Sequence, residues 1–199
     1  MLYELTITDE LRERLNNQDE ICYECNNPIR FVSYQEYISS YREAGSITSE
    51  FIRLLFEQHP EFEEKKDSLV IATIKSCIMS QYGKSGEANW HIDNIEFPID
   101  KTMNLIITWN GQGTSCLPTH QSKEIERLRN EFIKQNNTDY DNIPSPYNYP
   151  ITPISSYHSP SSNQMTLLSM AGKNILHRRN PIPETDIGRY RYVLNIYYD

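Results

Sequence analysis

Three residues of this 199-residue chain have the types and spacing to hold a metal ion: His91, Asp93 and His177. In an extended segment, residues two apart project to the same side. His91 and Asp93 can therefore converge on one point while Ile92 turns away into packing. One imidazole and one carboxylate make an incomplete site. His177 is the best placed third donor, because it follows a strand-like run, opens a loop ahead of Pro181 and Pro183, and lies just beyond Ala171-Gly172. Two histidines and one carboxylate on one face of an octahedron leave three positions open. That is the ligand set of non-haem Fe(II) centres that bind a co-substrate and dioxygen together. A structural zinc site would close all four positions, usually with thiolates. An HxD pair alone is a short pattern that arises by chance or on a surface histidine, so the weight falls on His177 and the strands around it.

The elements that must position these residues change texture along the chain. The first third reads helical. Thr8 caps a short helix through Leu15, and Tyr34, Tyr37, Ile38 and Tyr41 recur at helical spacing until Gly45. Thr48 is expected to cap a further helix carrying Phe51, Leu54 and Leu55, and the charged residues 61–67 read as a solvated helix end or turn. From Ser68 the run LVIATIKSCIMSQY is rich in β-branched residues and predicts one or two strands, followed by a turn-rich connection into NWHIDN. MNLIITWN predicts another strand, with a tight turn at Asn110-Gly111-Gln112-Gly113. Residues 122–135 predict a helix capped by Ser122, and residues 136–164 are polar and rich in Pro, Ser, Tyr and Asn. Two closing strands, QMTLLSM and RYRYVLNIYY, complete the pattern of an α+β, mainly β chain. The expected division is a helical extension over 1–67 packing on a β domain over 68–199, with 119–164 as an insert placed to act as a lid.

A formal charge of −8 denies the chain the basic field that drives nonspecific nucleic-acid binding. Nucleic acid is not the expected partner, and Arg178 and Arg179 read as surface charges. No apolar run approaches membrane-spanning length, and the charged N-terminal segment lacks the apolar stretch of a signal peptide. The expectation is a reduced, cytoplasmic protein without a membrane partner. Of the four cysteines, Cys22, Cys25, Cys77 and Cys116, the first two have metal-knuckle spacing, but no second CxxC or HxxxH pair answers them, so those two read as ordinary thiols. His59, His120 and His158 have no partner at ligand spacing.

The run Asn89-Trp90-His91-Ile92-Asp93-Asn94 resembles the proximal HxD motif of the Fe(II)- and 2-oxoglutarate-dependent dioxygenases. MNLIITWNGQGTSCLP resembles their following strand and turn, with Gly113-Thr114 and Leu117-Pro118 in place. MTLLSMAGKNILHRRNP resembles the strand, glycine turn and distal histidine, and Gly188-Arg189-Tyr190-Arg191-Tyr192-Val193-Leu194 the final strand that carries a basic residue. The resemblance covers roughly residues 68–199 in the right order and none of the N-terminal part. It implies a double-stranded β-helix (jelly-roll, cupin-like) core and iron held by His91, Asp93 and His177. It also implies 2-oxoglutarate as co-substrate, with oxidation of a small molecule or protein side chain and release of succinate and carbon dioxide.

In that chemistry the far carboxylate of the co-substrate needs a cation, and a guanidinium supplies two parallel hydrogen bonds. Arg189 and Arg191 share one face of the last strand. Arg191 matches the family's register better, while the gap after the distal histidine keeps Arg189 open. Tyr82 and Thr108 are candidate hydroxyls beside the same carboxylate. Two other readings stand: a cupin-like metal protein that uses the triad without 2-oxoglutarate, and a catalytically silent scaffold whose helices and Tyr/Pro-rich insert bind a partner protein.

Overall fold

The computed structural model describes residues 1–42, 45–73, 101, 103–108, 111–117, 154–171, 177–179 and 192–199, together with five helical positions between 123 and 134. The chain opens with β1 (Leu2–Thr6), whose burial alternates so that Leu5 points inward, then α1 (Asp9–Asn16) and α2 (Gln18–Asn26). Thr8 caps α1 as its position predicts, its hydroxyl accepting from the Leu11 N–H. Asn17 both ends α1 and caps α2. A two-residue strand, β2 (Val32–Ser33), leads into α3 (Tyr34–Glu36), which continues as one π-helical turn over Tyr37–Tyr41. Gly45 follows at φ +82°, a conformation that costs glycine little. Then come α4 (Ile47–Gln58) and α5 (Pro60–Glu64).

Two expectations change here. The cap of α4 is Ser46, whose hydroxyl accepts from the Ser49 N–H; Thr48 lies inside the helix and is buried. Its hydroxyl instead meets the Tyr192 hydroxyl at 2.6 Å, while the Phe51 ring stacks on Tyr192 with centroids 5.4 Å apart. The first third is also not purely helical, since it supplies β1 and β2 to the sheet. Thr48→Val should cost about 1 kcal/mol, the worth of one neutral hydrogen bond. In urea unfolding, Thr48→Val combined with Tyr192→Phe should then cost no more than either change alone.

The remaining strands are β3 (Val70–Thr73), β4 (Met103–Thr108), β5 (Gly111–Cys116), β6 (Ile154–His158), β7 (Gln164–Ala171), β8 (His177–Arg179) and β9 (Val193–Tyr198). The expected turn at 110–113 is displaced, because Gly111 to Gly113 already belong to β5; pairing with β6 and β8 extends the glycine-rich stretch into a strand. The polar stretch 136–164 contains β6, and His177 begins a strand rather than a loop, so among the described residues three strands and not two follow the insert. Lys123, Arg127, Asn130, Glu131 and Lys134 are helical, within the segment expected to be a helix.

Every strand pairing among the described residues is antiparallel. Six strands run β2-β3-β9-β4-β7-β1, and three run β6-β5-β8. A single bridge, His158 to Met165, joins the groups. β7 is the shared seam: Leu168 pairs with Leu2 on one edge and with Ile106 on the other.

The period-two alternation of the strands sorts two cores. On one face, Leu105, Ile107, Leu167, Leu194 and Ile196 meet Leu11, Leu15, Phe51 and Phe62 of the helices. On the other, Ile106, Leu168, Met170 and Val193 of the six-stranded group meet Cys116 of β5. The fold is thus a mixed α and β arrangement, mainly β, with helices covering one face of an antiparallel sheet and a smaller strand group against the other. Among the described residues, no helix is long and apolar enough to cross a membrane.

His158 closes β6 fully buried, with its Nε2 at 2.8 Å from the Ser162 carbonyl across the β6–β7 turn. Burial holds its pKa below the ordinary 6.5 despite that contact. The folded state therefore binds the proton less readily than the unfolded chain. The stabilisation is full above pH 6.5 and is lost as pH falls through the lower folded value. His158→Gln should flatten the acid side of a plot of urea midpoint against pH.

Candidate functional site

His177 is the first residue of β8 and sits directly opposite Cys116 on β5. Residues opposite each other in an antiparallel pair lie on the same face. Cys116 belongs to the inter-sheet core, so His177 lies on that face too, and both are buried. The next two pairs of the ladder are Arg178 with Ser115 and Arg179 with Thr114. Burial pushes the Cys116 thiol up.

Thr108 ends β4, opposite Val193, two residues beyond Arg191 in the chain. It shares the inter-sheet face with Ile106 and is 1 % exposed. Its Oγ1 makes no hydrogen bond among the described residues. Two of the sequence-predicted site residues, His177 and Thr108, therefore stand buried on the two strand groups, each on the face that carries the inter-sheet core.

His91, Asp93, Tyr82, Arg189 and Arg191 lie outside the described residues, as does most of the expected lid at 119–164. No group of three histidine, cysteine or acidic side chains that could hold a metal occurs among the described residues. The donor set tested by chemistry alone, two imidazoles and one carboxylate, suits Fe(II) with positions left open. Of the remaining histidines, His120 lies outside the described residues, and His59 and His158 have structural settings. His59 ends α4 with its Nε2 at 2.6 Å from the Glu4 carbonyl, which ties the helix to β1. Cys22 is a free thiol that meets the side-chain amide of Asn26, and Cys116 is likewise free.

Sequence reasoning passed over Asn104 and Asn195. Both stand on the inter-sheet face, 5 % and 1 % exposed, and the Asn104 amide donates to Asn195 Oδ1 at 3.2 Å. The signal was available, since each is an amide at an inward position of an otherwise apolar strand, MNLIIT and VLNIYY. No family model matches the chain, and no curated protein matches it in sequence.

Proposed function

We propose that this chain is a non-haem iron, 2-oxoglutarate-dependent oxygenase on a double-stranded β-helix. The observation that supports the reading is the pairing pattern of the strands. Rolling up one long antiparallel hairpin of eight strands pairs first with eighth, second with seventh, third with sixth and fourth with fifth. It then brings eighth beside third and seventh beside fourth. With β3 as first and β4 to β9 as third to eighth, five of those six joins match observed pairs: β3·β9, β4·β7, β5·β6, β4·β9 and β5·β8. The sixth join belongs to β8 and a second strand, for which the chain available is residues 74–100. That stretch carries His91 and Asp93, and β8 begins with His177.

In this reading His91, Asp93 and His177 hold Fe(II) and leave three positions for small molecules. Iron with 2-oxoglutarate and dioxygen supplies oxidative decarboxylation to succinate and carbon dioxide, coupled to oxidation of a substrate C–H bond. Arg191, ahead of β9, pairs with the far carboxylate of the co-substrate, and the Thr108 hydroxyl beside Val193 donates to it. The apolar lining from Ile106, Leu168, Met170 and Val193 keeps water from the reacting centre.

The test is metal content and 2-oxoglutarate binding of anaerobically purified protein, followed by succinate release. One equivalent of Fe(II) and a saturable 2-oxoglutarate isotherm are expected. Metal without 2-oxoglutarate binding would favour the cupin-like reading, and neither would favour the scaffold. Arg191→Ala should weaken 2-oxoglutarate by at least about tenfold, the loss of a charge-assisted pair, with Fe(II) content unchanged. If Arg189→Ala has that effect instead, the anchor lies two residues earlier in the chain.

A further inference from the structure

Buried polar side chains of β4 and β9 interrupt the inter-sheet face of the six-stranded group. On β4 the inward positions are Asn104, Ile106 and Thr108, and on β9 Asn195 stands opposite Ile106. Asn104 and Asn195 are thus diagonal neighbours, and both are more than nine-tenths buried. Their mutual hydrogen bond of 3.2 Å uses one donor and one acceptor. Asn104 Oδ1 and Asn195 Nδ2 make no hydrogen bond among the described residues. Exchanging oxygen and nitrogen in both amides reverses the bond and again leaves one NH2 and one carbonyl oxygen unmet. Whichever way the amides are set, one uncharged donor and one uncharged acceptor of the buried pair stay unmet among the described residues. Two leucines would pack there without that desolvation cost, so the pair calls for a functional account.

We propose that the Asn104–Asn195 pair is a recognition site for a carboxamide or peptide group. Such a group carries an N–H and a C=O on adjacent atoms and completes both amides at once. A carboxylate offers acceptors only and would face the asparagine carbonyl with like polarity; an ammonium offers donors only and would leave that carbonyl's partner amide unmet. The site needs no metal, so it stands or falls apart from the iron reading. It stands on the sheet face that carries Ile106, Leu168, Met170 and Val193, the cluster that also takes in Cys116, the register partner of His177.

The experiment uses the full chain without iron or 2-oxoglutarate. Crystals are soaked in acetamide and, in parallel, in acetate, and saturation-transfer NMR with both probes is recorded in solution. Acetamide should bridge Asn104 and Asn195 within hydrogen-bond distance, and acetate should not. Asn195→Leu and the equal-sized Asn195→Asp should each lower acetamide saturation transfer by about fivefold or more, the worth of one neutral hydrogen bond. The aspartate variant carries the test if the leucine variant fails to fold. An ordered water that stays between the two amides in the acetamide soak would overturn the proposal. So would acetate binding as well as acetamide, or a signal that survives both substitutions.

Discussion

Alanine at His177 is expected to strip the protein of iron while leaving its fold in place. The residue opens a three-residue strand and is 8 % exposed, so truncation removes little apolar area from either core. A ligand is another matter. Changes in groups that merely orient a ligand cost 10–100-fold in metal affinity, and loss of the ligand itself should cost at least about 100-fold. Metal analysis after anaerobic reconstitution should fall from one equivalent to background, and 2-oxoglutarate-dependent succinate release should fall with it. The far-ultraviolet circular dichroism and the urea midpoint should stay near the parent's. His91→Ala and Asp93→Ala should do the same. A His177→Ala protein that still holds one equivalent of Fe(II) would remove the metal assignment, whatever the sheet topology.

The second large effect is on stability. Phe51→Ala should destabilise the protein by about 3–5 kcal/mol, the usual cost of emptying a buried phenylalanine site. The ring is fully buried and stacks on Tyr192, which adds to its area term. At this chain length the melting temperature should fall on the order of 10 °C. The result also tests the architecture. Helical residues such as Leu15 and Phe51 share one core with Leu105 and Leu194 of the sheet, so one cooperative transition should move as a whole. A split melting curve, with only an early phase shifted, would mean that the helices fold as a unit apart from the sheet.

Much of this arrangement is legible in the residues. Thr8 before an amphipathic run marks α1, and the β-branched, apolar runs of β4 and β9 declare themselves without tertiary help. The start of α4 is harder, because Ser46 and Thr48 are both competent caps. What decides between them is Ile47, fully buried on the helix face, and the burial of Thr48 against Tyr192. β1 carries a readable alternation, but five residues of it beside a helix signal are easily taken for a lead-in. β6 is not legible: ISSYH sits among prolines and serines, and it is a strand because β5 pairs with it. For the site, His177 stood out through its neighbours, and Thr108 through its place in a strand. The amides of Asn104 and Asn195 did not, because a polar residue inside a strand gains meaning only when its partner across the ladder is known.

The pairing of β1 with β7 carries a consequence for biogenesis. Leu2 stands opposite Leu168, so β1 leaves the ribosome well before the strand it pairs with. Contacts of such long sequence separation slow folding. Until β7 emerges, one strand edge of the nascent chain is open to other strands, and a chaperone that shields residues 2–6 during translation should raise the yield of native protein.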